Sequence, residues 1–289
     1  MDTLKTGINL VVKKTLQIMS PEPRVEFSED SDNGMVFNDI PVPEELISRI
    51  FCYYVDAKSL LNCQLVCKRW NMLMTDYVWR KKAIIRTGHH FTLEEPYDWK
   101  DYYSIITVNF GKNLLTNHSG AEGIRKGWNN LRNGGDGWKI ERSPLGVPPL
   151  PEEPDFGNSQ YCFVTSYSDC IKEQTIYLSK VGFSANVLDS MQPVIEISEW
   201  YGCRWDCPAN YKLTVQLIGS QDQIMDSFIF KDSLENERQN VWHKVEHKFT
   251  NYGRGLRIIR FKHGGSDRYF WAGHYGSKMA RATVKVIIP

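Results

Sequence analysis

Hydrophobic positions change their spacing twice along the chain, and the changes divide it. Up to about residue 38 no period is sustained: a short apolar start gives way to Pro21, Pro23 and an acidic run from Glu26 to Asp32. Such a segment buries too little apolar surface to offset its ordering entropy. Residues 1–38 are therefore expected to form a disordered acidic leader. From Ile40 the spacing turns helical. Leu46, Ile47, Ile50, Phe51 and Tyr54 recur at helical intervals behind Pro41, Pro43 and an acidic first turn of Glu44 and Glu45, which marks a helix start. Asp56 opens a second helix through Leu60, Leu61, Cys63 and Val66, and Met72, Leu73, Tyr77, Val78 and Trp79 predict a third. Residues 39–85 thus read as a small all-α domain, too small to hide all of its apolar side chains. Helical spacing continues in Trp99, Tyr102, Tyr103 and Ile106. It predicts a helical linker over 86–106 that holds the two domains at a fixed distance.

Beyond residue 109 the period falls to two. Short alternating runs lie at 161–165, 175–178, 194–200, 211–217, 224–230, 242–249, 256–261 and 283–288, and only 180–188 reads as helix. Asn133-Gly134-Gly135-Asp136-Gly137 is a turn before a strand start, and a proline-rich loop covers 144–154. Many short strands separated by turn signals predict an antiparallel β-sandwich, jelly-roll-like, over 107–289. The fold class is α + β in separate domains.

Composition narrows the chemistry. A chain of 289 residues with a formal charge of +1 has room for two domains but no long-range field for nucleic acid or an anionic membrane. No run approaches the ~20 apolar residues of a membrane span, and no secretory pattern opens the chain. A cytoplasmic location is expected, so the Asn117-His118-Ser119 sequon reads as accidental. Seven cysteines form no disulfide framework, and neither Cys63/Cys67 nor Cys203/Cys207 has a second pair at zinc spacing. No metal, cofactor or catalytic residue is expected.

The aromatic fraction is high, and one stretch concentrates it. His263-Gly264-Gly265-Ser266-Asp267-Arg268-Tyr269-Phe270-Trp271-Ala272-Gly273-His274-Tyr275-Gly276 combines four glycines with four large rings. His263, Gly264 and Gly265 read as the turn presenting the loop, Tyr269 and Tyr275 as packing beneath it. Such a loop either clamps a ligand with flat apolar faces, as sugars have, or plugs a sandwich core.

Two resemblances sharpen this reading. Pro43, Glu44, Glu45, Leu46, Ile47, Ile50 and Phe51, then Leu60 and Leu61, then Leu65-Val66-Cys67-Lys68-Arg69-Trp70 and Trp79 resemble an F-box, the helical hook that docks on the Skp adaptor of SCF ubiquitin ligases. The resemblance implies adaptor-facing positions at Pro41, Pro43, Leu46, Ile50, Phe51, Leu60, Leu61 and Val66, with Trp70 and Trp79 partly core. In the second domain, Asn113-Leu114-Leu115, the Asn133–Lys139 turn, Tyr161 to Tyr167, Glu199-Trp200-Tyr201 with Arg204 and Asp206, and His263-Gly264-Gly265 leading to Trp271-Ala272-Gly273 resemble the F-box-associated domain of the sugar-recognising F-box proteins. That resemblance implies a non-catalytic substrate receptor that binds the high-mannose and chitobiose core of N-glycoproteins in the cytosol. Such a receptor hands its cargo through the adaptor and the cullin/RING core to ubiquitination and the proteasome. The sugar-binding positions it implies are Tyr201, Asp206, Phe270, Trp271 and Ala272. Three positions depart from the family pattern: Phe270 for the usual Tyr, which removes a phenolic hydroxyl, His274 for Trp, and Ala272 for the Lys of strong sugar binders. A receptor for an unglycosylated protein and a carbohydrate-active enzyme are the alternatives. The enzyme would need two facing carboxylates, for which Asp206 and Asp267 are the loop candidates.

Overall fold

The structure is a computed structural model that describes residues 35–37 and 40–289. Most of the expected leader lies outside the described residues. At its end β1 (Val36–Phe37) pairs antiparallel with β2 (Ile40–Pro41). The chain divides into two compact units, one ending at Ile106 and one spanning Thr107–Pro289.

The first unit is helical because its apolar positions leave one face per turn for a shared core. Helix α1 (Glu44–Tyr53) starts behind Pro43 with Glu44 and Glu45 in its first turn, where carboxylates meet the positive end of the helix dipole. Helix α2 (Ala57–Cys63) is capped by Asp56, whose carboxylate accepts from the amides of Lys58 and Ser59 at 3.0 Å each. The third helical stretch runs as α3 (Lys68–Leu73), a π-turn at Met74–Val78 and α4 (Trp79–Thr87). In the π-turn Thr75 donates its hydroxyl back to the carbonyls of Asn71 and Met72. Lys82 ties α4 to the end of α1 by donating to the carbonyls of Cys52 (2.9 Å) and Val55 (2.6 Å).

The linker expected as helix over 86–106 is helical only at its two ends, as the last residues of α4 and as α5 (Trp99–Thr107). Gly88, at φ 74°, ends α4 in the left-handed region that glycine tolerates. Phe91 is then fully buried against Tyr97 and Tyr102. Trp79 is likewise fully buried, stacked on Trp99 and edge-on to Tyr103. The stretch thus completes the first unit's core.

The second unit is a sandwich of two five-stranded antiparallel sheets. Its strands are β3 (Asn129–Asn133), β4 (Lys139–Glu141), β5 (Cys162–Val164), β6 (Cys170–Tyr177), β7 (Val194–Gly202), β8 (Ala209–Gly219), β9 (Ile224–Leu234), β10 (His243–Phe249), β11 (Leu256–Asp267) and β12 (Lys278–Ile287). One sheet runs β10-β7-β12-β5-β4 and the other β3-β6-β11-β8-β9. The predicted helix over 180–188 is a 3₁₀ turn at Leu178–Val181 followed by α6 (Ala185–Met191). Strand β3 reads Asn-Asn-Leu-Arg-Asn and lies at a sheet edge; an edge strand needs no apolar alternation on its solvent side, so period gives no warning of it.

His263-Gly264-Gly265 is not a turn. All three continue β11, paired with β6 on one side and β8 on the other. A Cβ on Gly264 would fall 2.1 Å from the carbonyl oxygen of Cys170, and one on Gly265 would fall 2.0 Å from that of Asn210. The glycines let three strands approach closely beneath the loop; they do not bend the chain.

Between the sheets lies a buried polar group. His263 Nδ1 is 2.6 Å from Glu199 Oε1, Tyr211 donates its hydroxyl to Glu199 Oε2 (2.5 Å), and the His263 ring stacks on Trp128 with centroids 4.4 Å apart. Burial holds the His263 imidazole below its usual value of 6.5, although Glu199 pulls the other way. The unfolded chain therefore takes up a proton near pH 6.5 that the folded chain resists. The stability contribution is complete above that pH and is lost as pH falls through and below it. Denaturant melts at stepped pH are expected to show stability falling from pH 6.5 towards 5, and His263→Gln to flatten that slope; an unchanged slope contradicts the assignment.

Candidate functional site

The loop joining β11 to β12 is built to hold exposed rings on a fixed backbone. Asp267 closes β11, and its Oδ1 accepts from the amides of Tyr269 (2.9 Å) and Phe270 (2.6 Å). That turn places Phe270 at φ 56°, a left-handed conformation a phenylalanine adopts only when its surroundings impose it. At the far end Asp136, from the Asn133–Gly137 turn, accepts from Gly273 N at 2.6 Å. Ser166 bridges the two segments, donating to Gly273 O (2.6 Å) and accepting from Asp136 N (2.9 Å). Gly273 sits at φ 112°, open only to glycine. These bonds leave Phe270 75% and Trp271 41% exposed.

Trp271 packs beside Tyr269, with centroids 5.2 Å apart, and meets Tyr275 edge-on at 5.5 Å. Tyr275 is half-buried as expected of a supporting ring, but Tyr269 is exposed and belongs to the surface. Ala272 is exposed as well. Phe270, Trp271 and Ala272 therefore share one loop surface.

The other two expected sugar contacts lie elsewhere. Tyr201 is buried in the sandwich, stacked on Tyr211 at 4.1 Å with its hydroxyl donating to Asp232 at 2.7 Å. It sits on β7 in phase with the buried Ile195 and Ile197, so the pleat turns it inward. Asp206 faces Arg204, which donates from Nε and Nη2 to its two oxygens at 2.7 Å each; these hydrogen bonds hold the Asp206 carboxyl below its usual range. Asp206 orients Arg204, whose guanidinium lies 4.8 Å over the Tyr275 ring. Its place is in the support of the loop.

Beside Phe270 opens a depression of about 440 Å³, lined by Arg132, Tyr167, Ser168, Asp169, Asn210 and Asp267 among others. That is within the size range of small-ligand sites. Asp267 Oδ2 is buried there and has no hydrogen-bond partner among the described residues. The depression combines the Arg132 guanidinium and the Asn210 amide with the oxygens of Ser168 and Asp169 beside an aromatic rim, which suits hydroxyl and acetamido groups. None of its polar residues was singled out as a ligand contact from sequence. Asp267 appeared there only as a carboxylate in the loop, because it joins Asn210 in lining the depression only once β8 and β11 lie side by side.

Three of the buried thiols are poor nucleophiles. Burial pushes Cys162 and Cys203 up to about 12 and Cys207 up to about 11, so all three stay protonated at neutral pH. Among the described residues no group of three His, Cys, Asp or Glu could hold a metal, and no helix is long and apolar enough to cross a membrane.

In the first unit the helical surface splits the adaptor-facing positions in two. Leu46 (50%), Ile50 (41%) and Val66 (60%) are exposed, as are Pro41 and Pro43, and Leu61 is half-buried. Phe51 and Leu60 are instead buried, Phe51 edge-on to Trp70 at 4.9 Å. They form the bundle's own core, since Phe51 falls on the same side of α1 as buried Ile47 while Leu46 and Ile50 fall on the other. Leu65 (84%) and Tyr54 (81%) extend the exposed apolar surface.

The family profile described as "F-box associated region" matches residues 105–286, and one described as "F-box-like" matches residues 42–85. The human protein named F-box only protein 44 is 33% identical over 85% of this chain and 95% of its own. Rat F-box only protein 6 is 34% identical over 85% of each, and bovine F-box only protein 2 is 31% identical over 90% of this chain and 88% of its own.

Proposed function

The chain belongs to the family of F-box proteins that carry an F-box associated region, and from that premise we propose that it is a substrate-recognition subunit of an SCF-type ubiquitin ligase for N-glycoproteins. The first unit docks on the Skp adaptor through Pro41, Pro43, Leu46, Ile50, Leu61 and Val66, and through it on the cullin/RING core. The second unit takes the chitobiose and inner mannose residues of a high-mannose glycan on a protein in the cytosol, which is then ubiquitinated and degraded by the proteasome. The subunit itself performs no chemistry: it positions its cargo.

The observation that carries this reading is the pinned loop with Phe270 and Trp271 exposed above a polar depression. A pyranose lays its C–H face on an indole, and its equatorial hydroxyl and acetamido groups need hydrogen-bond partners at the rim. Trp271 supplies the face. Asn210, Arg132 and Arg268 are donors around the same hollow, and Ser168 and Asp169 carry oxygens that can accept. Phe270 contributes ring area without a hydroxyl, so the hydrogen bonds fall to the depression.

Pull-down from a lysate treated or untreated with an endoglycosidase tests the reading. Capture that disappears on deglycosylation supports it. Undiminished capture transfers the function to an unglycosylated partner of the same loops, and release of a trimmed sugar from a free glycan would make the protein an enzyme.

A further inference from the structure

Beside the aromatic loop lies a second surface of different chemistry. Trp205 is 65% exposed in the β7–β8 connection, and Leu145 and Val241 are 53% and 44% exposed in two neighbouring loops. The three loops are joined by their backbones. Trp205 N donates to Gly146 O at 3.0 Å, and Asn240 N donates to Cys203 O at 3.1 Å. Gln239 Nε2 donates to the carbonyls of both Arg204 and Trp205 at 3.1 Å. A Cβ on Gly146 would fall 3.0 Å from Arg204 Cγ, so the 145–146 segment lies against the Arg204 stem. The patch is continuous with the aromatic loop, because Arg204 covers the ring of Tyr275, which in turn meets Trp271.

Three of the polar side chains around this patch, Arg204, Arg238 and Gln239, are already engaged. Arg204 is held by Asp206 and Arg238 by Asp232. The side-chain amide of Gln239 donates to two carbonyls and accepts from Asn236 N. A sugar placed here would bury hydroxyls without partners, at a cost for each. Leu145 and Val241 also present no flat face on which a pyranose could stack. An uncharged aliphatic and aromatic surface suits an apolar peptide segment.

We propose that Trp205, with Leu145 and Val241, receives the polypeptide that carries the glycan: an apolar segment beside the glycosylated asparagine. The proposal rests on the glycan reading of the loop. It gives the ligand a direction, with outer hydroxyl-rich sugars towards the depression at Asp267 and the peptide towards Trp205.

The test is titration of the full chain with three probes: a free high-mannose glycan, a glycopeptide with that glycan on an asparagine flanked by Leu and Val, and the same glycopeptide flanked by Ser and Gly. The wild type is expected to bind the apolar glycopeptide about tenfold tighter than the other two, as a well-packed Trp contact allows. Trp205→Ser should remove that difference and leave free-glycan affinity unchanged, and Leu145→Ser should lower apolar-glycopeptide affinity about two- to threefold, as a peripheral aliphatic contact allows. Equal wild-type affinity for all three probes overturns the peptide surface alone. Equal weakening of free glycan and glycopeptide by Trp205→Ser also overturns it and makes Trp205 a sugar contact. Failure of the wild type to bind the free glycan overturns the glycan reading, and the peptide surface with it.

Discussion

Replacing Trp271 with alanine is expected to lower affinity for an immobilised high-mannose glycoprotein by about thirty- to a hundredfold, the range of a central Trp contact. The melting temperature of the chain should hardly move. The loop's shape does not depend on the indole: it is set by Asp267 Oδ1 on the amides of Tyr269 and Phe270, and by Asp136 and Ser166 on Gly273. Truncation leaves those bonds intact and removes a partly exposed ring from the rim. A large fall in melting temperature would instead make Trp271 part of the packing, and binding retained at wild-type strength would remove it from the site. Asp136→Ala separates the two contributions, since it frees one end of the loop while keeping every ring.

Leu46→Asp combined with Ile50→Asp is expected to reduce capture of the Skp adaptor by about a hundredfold or more, because a docked carboxylate loses its water without gaining a partner. The fold should survive, since both side chains already face solvent. Leu60→Ala tests the opposite side of the bundle. Leu60 is fully buried, so its truncation should cost about 2–5 kcal/mol of stability, and any loss of adaptor binding should follow unfolding. Circular dichroism beside the capture assay distinguishes the two: undiminished capture by a folded Leu46→Asp/Ile50→Asp variant would show that the exposed surface is not the docking surface.

Both predictions use distinctions that a linear pattern leaves open. In α1 the apolar positions cover a wide arc, and helical period pairs Leu46 with Ile50 and Ile47 with Phe51. Which pair meets the bundle and which meets solvent is decided by where Trp70 and Leu60 stand. In β7 the phase was legible: Tyr201 stands two residues beyond Glu199 and four beyond Ile197, so alternation alone turns it inward with them. Its neighbour Trp200 points the other way, donating its indole N–H to Glu153 at 3.1 Å. Asp206 was less legible, because its partner Arg204 is two residues away and nothing in the spacing shows that both oxygens are taken.

Taken alone, the amino-acid order determined the class of each element: helical spacing before residue 109, alternation after it, and a ring-rich loop between the last two strands. These are local properties, set by the pitch of a helix, the pleat of a strand and the preferences of Asp56, Gly88 and Gly273. Tertiary structure alone decided what the glycines of β11 are for, which polar residues line the depression, and which apolar residues remain outside. Each of those depends on segments distant in the chain: Gly264 on Cys170, Gly273 on Asp136, Trp205 on Gly146. Close approach between strands and the engagement of a buried acceptor are properties of pairs, and a pair exists only once the sheets have folded together.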